Sequence, residues 1–433
     1  MQGLKFYIET YGCQMNISDS AYLKDILINK GLRESDSLEN ADIIFVNTCS
    51  VRRSAEERLE GRLAYYSQIK KNNNLKIFVI GCYAQKEKDN IKKRFPAVDF
   101  VVGTRNITKI SKIINAPLNE YIFTDMETPE YIEPSIDPFN KYRGFVSIIR
   151  GCSNFCSYCI VPYTRGPEYS LNSKKIIDDI KKLVDKGIKE VFLLGQNVNS
   201  YGLDTGDIKF YQLLEKINNI DGVKRIRFLT SHPKDFSNEL IEAIASLDKV
   251  VKQVHLPLQS ASDKVLSMMN RKYNYKHYFS IVENLRKRLP MISITTDILV
   301  GFPGEDEKDF LETYDAVKEI EFDKAFMFMY SPREGTASYN LEETLSIDEK
   351  KERLKKIIEI QNKITVEKLK RFIGTFSSVF IENINKKNNG VFGITDYGLN
   401  IILKDFNLQQ GQITNVKIES LSGHTLIGKD IKL

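Results

Sequence analysis

The hydrophobic pattern changes character three times along the chain. In the first hundred residues, apolar positions concentrate in short runs: an apolar-aromatic one at 4–10, an uninterrupted one at 41–47 and a third at 75–80. The run at 41–47 is expected of a strand buried on both faces, as in a parallel sheet covered by helices, and 75–80 reads as a further buried strand. Between them the spacing turns helical. Tyr22, Leu23, Ile26 and Leu27 share one face, Ser18 is placed to cap that helix, and Gly31 sits where it should end. A charged helical stretch follows at about 54–71. The alternation predicts an N-terminal Rossmann-like parallel sheet.

A proline-containing stretch near 116–141 reads as a linker. A second alternating series then begins, with strands expected at 145–150, 190–194, 225–230, 253–258, 293–300 and 325–330. Six successive strand–helix steps suggest an open, partial (β/α)6 barrel, with its chemistry at the C-terminal strand ends. A charged helix over 346–371 leads into a tail of five short strands: 376–381, 391–395, 399–403, 416–420 and 425–431. That tail fits a small OB-like β-barrel, a frequent nucleic-acid platform. The fold expectation is therefore a multidomain α/β protein.

Composition narrows the class without deciding it. The 433 residues carry 63 Lys+Arg against 57 Asp+Glu, and 42% are hydrophobic. These proportions exclude a collagen, a wholly disordered chain and a small disulfide scaffold. No apolar run approaches the ~18–20 residues that span a bilayer. The N-terminus lacks the pattern of a signal peptide, so the reading is no membrane and a cytoplasmic location.

The six cysteines change the picture. Cys13, Cys49 and Cys82 each follow one of the first three predicted strands, so a parallel sheet would bring them to one edge. Cys152, Cys156 and Cys159 form a CxxxCxxC cluster directly after a strand. In a reducing compartment, metal binding or catalysis is the better reading than disulfides. Three thiolates this close can each hold one iron of a cubane and leave the fourth iron open. A structural zinc site is the alternative, but it usually takes four protein ligands.

CxxxCxxC with aromatic Tyr158 before its last cysteine resembles the radical S-adenosylmethionine enzymes. The flanks go further. Thr10-Tyr11-Gly12-Cys13-Gln14-Met15-Asn16, Asn47-Thr48-Cys49-Ser50-Val51-Arg52 and Gly81-Cys82-Tyr83-Ala84-Gln85 resemble the three cluster motifs of the methylthiotransferase family. Arg150-Gly151-Cys152, Ile160-Val161-Pro162-Tyr163-Thr164-Arg165-Gly166, Leu194-Gly195-Gln196-Asn197, Thr296-Asp297 and Gly301-Phe302-Pro303-Gly304-Glu305 match in the family's order. The form Gly-Cys-Gln-Met-Asn is that of the branch acting on isopentenylated adenosine beside the tRNA anticodon. Leu258 and Ala261 depart from the family's usual Val and Gly. The added methyl of Ala261 is expected near the cofactor rim.

The resemblance implies four units: an N-terminal methylthiotransferase domain over 3–118, a linker over 119–137, a radical S-adenosylmethionine core over 138–368, and a TRAM RNA-binding domain over 371–433. It implies two [4Fe-4S] clusters. Cys152, Cys156 and Cys159 would hold the one that generates a radical from S-adenosylmethionine. Cys13, Cys49 and Cys82 would hold an auxiliary cluster that carries sulfur. S-adenosylmethionine would serve twice, as methyl donor and as radical source. Tyr158, Gly195, Gln196, Asn197, Ser231, Gln259 and Asp297 are the expected cofactor contacts. The implied partners are a tRNA with isopentenylated adenosine and an electron donor such as flavodoxin or ferredoxin, with the chain a monomer. Arg165 and the basic residues of the 346–371 helix are candidates for tRNA phosphates. Phe376, Phe380, Phe392, Tyr397 and Phe406 are expected chiefly in the core of the tail barrel. His232 and His255 are expected to be structural.

Overall fold

The computed structural model describes residues 3–50, 53–71, 74–114, 121–127, 131–385, 390–403 and 407–430. Its first sheet has six parallel strands in the spatial order Arg33–Glu34, Lys5–Tyr11, Ile43–Thr48, Lys76–Gly81, Phe100–Val102, Ile122–Phe123. Every residue of Ile43–Thr48 is buried, as its unbroken apolar run requires. Phe45, Phe78 and Phe100 stack across one face, while Ile44, Val46, Ile77 and Val79 pack on the other. Ile122–Phe123 falls within the stretch read as a linker and completes this sheet.

The helix expected to start at Ser18 starts instead at Gln14 and runs to Asn29. The chain enters it directly from the strand through Gly12 and Cys13, so no separate cap residue is needed. Ser18 lies in the second turn, buried, with its hydroxyl 3.2 Å from that of Ser135.

The second series forms six parallel strands: Asn140–Ser147, Glu190–Leu194, Arg225–Phe228, Gln253–His255, Ser293–Val300 and Lys324–Met329. They fall into two sheets linked by an isolated bridge between Ile226 and Val250. Ser135–Asp137 adds an antiparallel edge. Alternate residues divide between two environments. Val191, Leu193, Ile226 and Phe228 join the main core under the helices. Phe145, Phe192 and Leu194, on the other face, cluster with Met15 of the N-terminal helix.

Helix Ile347–Lys370 is capped by Ser346, with Glu349 completing a capping box. It leads to a closed five-stranded barrel of Phe376–Asn385, Gly390–Thr395, Asn400–Leu403, Thr425–Asp430 and Ile413–Ser422 in that order. The barrel docks at the N-terminal ends of the six-strand row. Arg225 reaches Glu190 at 3.1 Å, Asp396 at 2.8 Å and the Thr395 carbonyl at 3.0 Å. Arg143 joins Asp137, Glu190 and Glu382, and both guanidiniums lie over the Phe380 ring. Glu190 is fully buried, yet its charge is answered from two sides. The N-terminal unit meets the same row at the opposite, C-terminal ends, where Met15 Sδ accepts from Ser147 Oγ at 3.5 Å. Among the described residues, no helix is long and apolar enough to cross a membrane.

Candidate functional site

Strand register decides where the first three cysteines go. Tyr11 pairs with Thr48, and Thr48 with Gly81, so Cys13, Cys49 and Cys82 leave three adjacent strands at one edge. The Cys49 thiol is hydrogen-bonded to both of the others. That contact, with the Arg165 guanidinium adding to it, holds Cys13 down at about 6 and Cys82 at about 7; Cys49 is pushed up. Glycine is required here: a Cβ on Gly12 would lie 2.8 Å from the Cys49 Cβ. Beneath the thiols, Asn16 Nδ2 donates to Asn47 Oδ1 at 2.9 Å and Asn47 Nδ2 donates to the Asn16 carbonyl at 3.0 Å. Cys13 Sγ donates to Asn16 Oδ1 at 3.1 Å. Val51 and Arg52 of the second motif lie outside the described residues.

Arg165 is not placed to meet tRNA phosphates. It is buried, donates to Asp19 at 3.2 Å and hydrogen-bonds Cys82. Arg150 donates to the same Asp19 at 2.6 Å. The loop at 103–106 supports this junction: Thr104 donates to the Thr164 carbonyl at 2.6 Å and Arg105 to the Arg165 carbonyl at 3.0 Å.

The second cysteine set follows strand Ile149–Arg150. Gly151 has φ +81, and a Cβ there would lie 2.1 Å from the Pro167 carbonyl oxygen. Its N–H donates to Gln196 Oε1 at 2.5 Å. Asn154 Nδ2 donates to Cys152 Sγ at 3.5 Å, and Arg271 Nη1 to Cys156 Sγ at 3.4 Å. Asn270 Nδ2 holds the Phe155 carbonyl at 2.8 Å. Burial pushes Cys152 up to about 11 and Cys159 up to about 12, the neighbouring thiols adding to both. Thiols pushed up in this way, as at Cys152 and Cys159, need a cationic metal group to become thiolates together. Among the described residues, no three His, Cys, Asp or Glu surround a point suited to a single metal ion. A cubane makes a different demand, since each sulfur then binds a different iron.

The other expected contacts lie at neighbouring C-terminal strand ends. Tyr158 is half-buried and, like Leu299, packs against the cluster of Val265, Met269, Phe302 and Tyr330. Gly195 packs so closely that a Cβ would meet Ile149 Cγ2 at 2.4 Å. Asn197 Nδ2 donates to Asp235 at 2.8 Å, while its Oδ1 has no partner. Ser231 Oγ is also buried without a partner. Gln259 adopts φ +67, and its N–H donates to the Asp297 carbonyl at 2.8 Å. The Asp297 carboxylate lies 3.2 Å from His255 Nε2. His232 Nδ1 accepts from the Lys234 N–H at 3.2 Å, leaving Nε2 buried and unpaired; burial lowers its pKa to about 2. Three orphaned polar atoms in the loops after two paired strands suit a polar ligand better than a closed core.

Sequence reasoning missed Asp19, Arg271 and Asn154. Arg271 lies 115 positions from Cys156, and no local pattern marks it. Ala261 is buried in the main core, its N–H bonded to Thr313 at 3.0 Å, rather than at a cofactor rim. In the tail, Phe380 is fully buried, but Phe376 and Phe392 are 63% and 42% exposed, against the expectation of core positions. Tyr397 packs on Phe372; Phe406 lies outside the described residues.

Two family models match: the radical SAM superfamily over residues 146–317 and the uncharacterized protein family UPF0004 over 5–103. The tRNA-2-methylthio-N(6)-dimethylallyladenosine synthase of Thermoanaerobacter pseudethanolicus is 44% identical across 100% of this chain and 94% of its own length. The enzyme of the same name from Clostridium botulinum strain Loch Maree is 43% identical, covering 99% and 97%. In fold, the chain is similar to the radical S-adenosylmethionine methyltransferase TsrM of Kitasatospora setae, solved with cobalamin and a [4Fe-4S] cluster: TM-score 0.60, 14% identity, 78% of this chain and 77% of that one. Full-length identity at this level, with both family models matched in order, establishes that the chain belongs to the radical S-adenosylmethionine methylthiotransferases, in the tRNA-2-methylthio-N(6)-dimethylallyladenosine synthase family.

Proposed function

We propose that this protein methylthiolates carbon 2 of N6-isopentenyladenosine next to the tRNA anticodon, giving 2-methylthio-N6-isopentenyladenosine. The observation that carries the reading is the pair of three-cysteine sets, the first at the C-terminal edge of three adjacent parallel strands and the second directly after strand Ile149–Arg150, joined through Arg165. Carbon 2 of adenine bears an unactivated C–H bond, so acid–base chemistry has no leaving group to work on. The bound groups would supply radical hydrogen abstraction and a sulfur carrier.

Cys152, Cys156 and Cys159 would hold the cluster that, with S-adenosylmethionine, provides the radical. Cys13, Cys49 and Cys82 would hold the auxiliary cluster. Gln196 anchors the loop bearing the second set through Gly151, and Arg271 and Asn154 donate to its sulfurs. The unpaired atoms of Asn197 and Ser231 are the groups we assign to S-adenosylmethionine, with Tyr158, Gly195, Gln259 and Asp297 around them. S-adenosylmethionine serves both as methyl donor and as radical source. The division into domains at 3–118, 138–368 and 371–433 follows these roles, with the first two forming Rossmann-like and partial-barrel units and the tail an OB-like TRAM module. The protein acts as a cytoplasmic monomer on isopentenylated tRNA, with a flavodoxin- or ferredoxin-type reductant.

The test separates the two cysteine sets. Replacing Cys13, Cys49 and Cys82 with Ala should abolish methylthio product yet leave reductive release of 5′-deoxyadenosine. Loss of that release from a folded variant would contradict the division of labour.

A further inference from the structure

Two buried arginines converge beside the N-terminal cysteines although their backbones frame the other set. Arg150 directly precedes Gly151-Cys152, and Arg165 closes the helix Val161–Arg165 that follows Cys159. Both side chains turn away from that loop and share the single carboxylate of Asp19, which is 1% exposed. Arg165 also donates to Cys82. Arg150 is 6% exposed, and its Nη1 has neither a hydrogen-bond partner nor solvent.

An unmet guanidinium N–H in such surroundings is costly, because the donor has lost water and gained no acceptor. Two cations share one carboxylate in a low-dielectric site, so the second positive charge is left to the neighbouring cysteine sulfurs. An oxidised cubane held by three thiolates carries one net negative charge. With it bound, cations and anions balance, and the orphaned donor acquires sulfur acceptors.

We infer that Arg150 and Arg165 form a cationic clamp on the anionic iron–sulfur group of Cys13, Cys49 and Cys82, with Arg150 Nη1 donating to a sulfur of that group. The inference rests on the two-cluster reading above. The clamp does two things. Its positive charge favours the reduced, more negative state of the auxiliary group. Its backbone belongs to the loop of the second cysteine set, so it fixes the two sets relative to each other. Both arginines are positioning residues.

The test uses the full-length chain carrying Cys152→Ala, Cys156→Ala and Cys159→Ala, reconstituted without oxygen, so that only the auxiliary group remains. This background should bind about four irons. Adding Arg150→Gln should shift its reduction equilibrium at least tenfold toward the oxidised form, about 59 mV for one electron. Arg150→Lys, which keeps the charge, should restore most of the shift, and Arg165→Gln should act in the same direction as Arg150→Gln. Iron lost from Arg150→Gln but retained by Arg150→Lys also supports the clamp. Iron lost equally from both overturns it, as does a full complement with an unchanged midpoint in both glutamine variants. A background chain that binds no iron overturns the two-cluster reading itself, and the clamp with it.

Discussion

Gln196 holds Gly151: the side-chain carbonyl oxygen of one accepts the backbone N–H of the other at 2.5 Å. One residue beyond Gly151 the second cysteine set begins, so this bond ties the start of the cluster loop to the end of the neighbouring strand. Gln196→Ala removes the acceptor for a largely buried N–H, a cost of about 1–3 kcal/mol. The expected result is a folded protein with reduced iron at the second set and at least tenfold less 5′-deoxyadenosine. Gln196→Glu, which keeps an acceptor oxygen, should recover most of both. Iron analysis beside the cleavage assay checks this.

Gly151→Ala is expected to be more severe. Its φ of +81 disfavours any side chain, and the new methyl would lie 2.1 Å from a backbone oxygen that cannot swing aside. Circular dichroism should stay close to native while iron at the Cys152–Cys159 loop is lost.

The tail barrel is attached through charge. Arg225→Met leaves Glu190 buried with half its partners and should lower unfolding free energy by about 3–5 kcal/mol. Asp396→Asn removes a charge from a side chain that is 41% exposed while keeping an acceptor oxygen for Arg225, and should cost only about 0–1 kcal/mol. Urea midpoints of the two variants would show the asymmetry; equal shifts would contradict it.

Acid stability should depend on His232. Burial lowers its pKa from 6.5 to about 2, so the fold keeps the ring neutral while the unfolded chain protonates it. The unfolded state therefore binds more protons in that window. The site's contribution is complete above pH 6.5 and is lost progressively as pH falls toward 2. His232→Gln cannot titrate and should show a shallower fall of melting temperature between about pH 6.5 and 4.5. Parallel curves for the two proteins would contradict the assignment.

What the sequence made legible was local. Apolar runs marked the buried strands, and the position of Cys13, Cys49 and Cys82 just past them placed all three at one edge before any coordinates. Relations between distant segments were not legible. Asp19 sits on a helix whose start was misplaced, and nothing in its own neighbourhood announces that two arginines from beyond residue 149 will reach it. Arg165 looked like one more surface cation because charge alone does not report burial. Phe376 and Phe380 lie four residues apart on the same strand with opposite exposure, since the end of a barrel strand escapes the core that its middle enters.

Methylthiolation by this protein is read out by mass spectrometry of nucleosides from isopentenylated tRNA incubated anaerobically with the reconstituted protein, S-adenosylmethionine and dithionite. 2-Methylthio-N6-isopentenyladenosine should form, and should be absent when either cysteine set is replaced by Ala. Isopentenyladenosine left unchanged by a chain that carries both clusters and releases 5′-deoxyadenosine would contradict it.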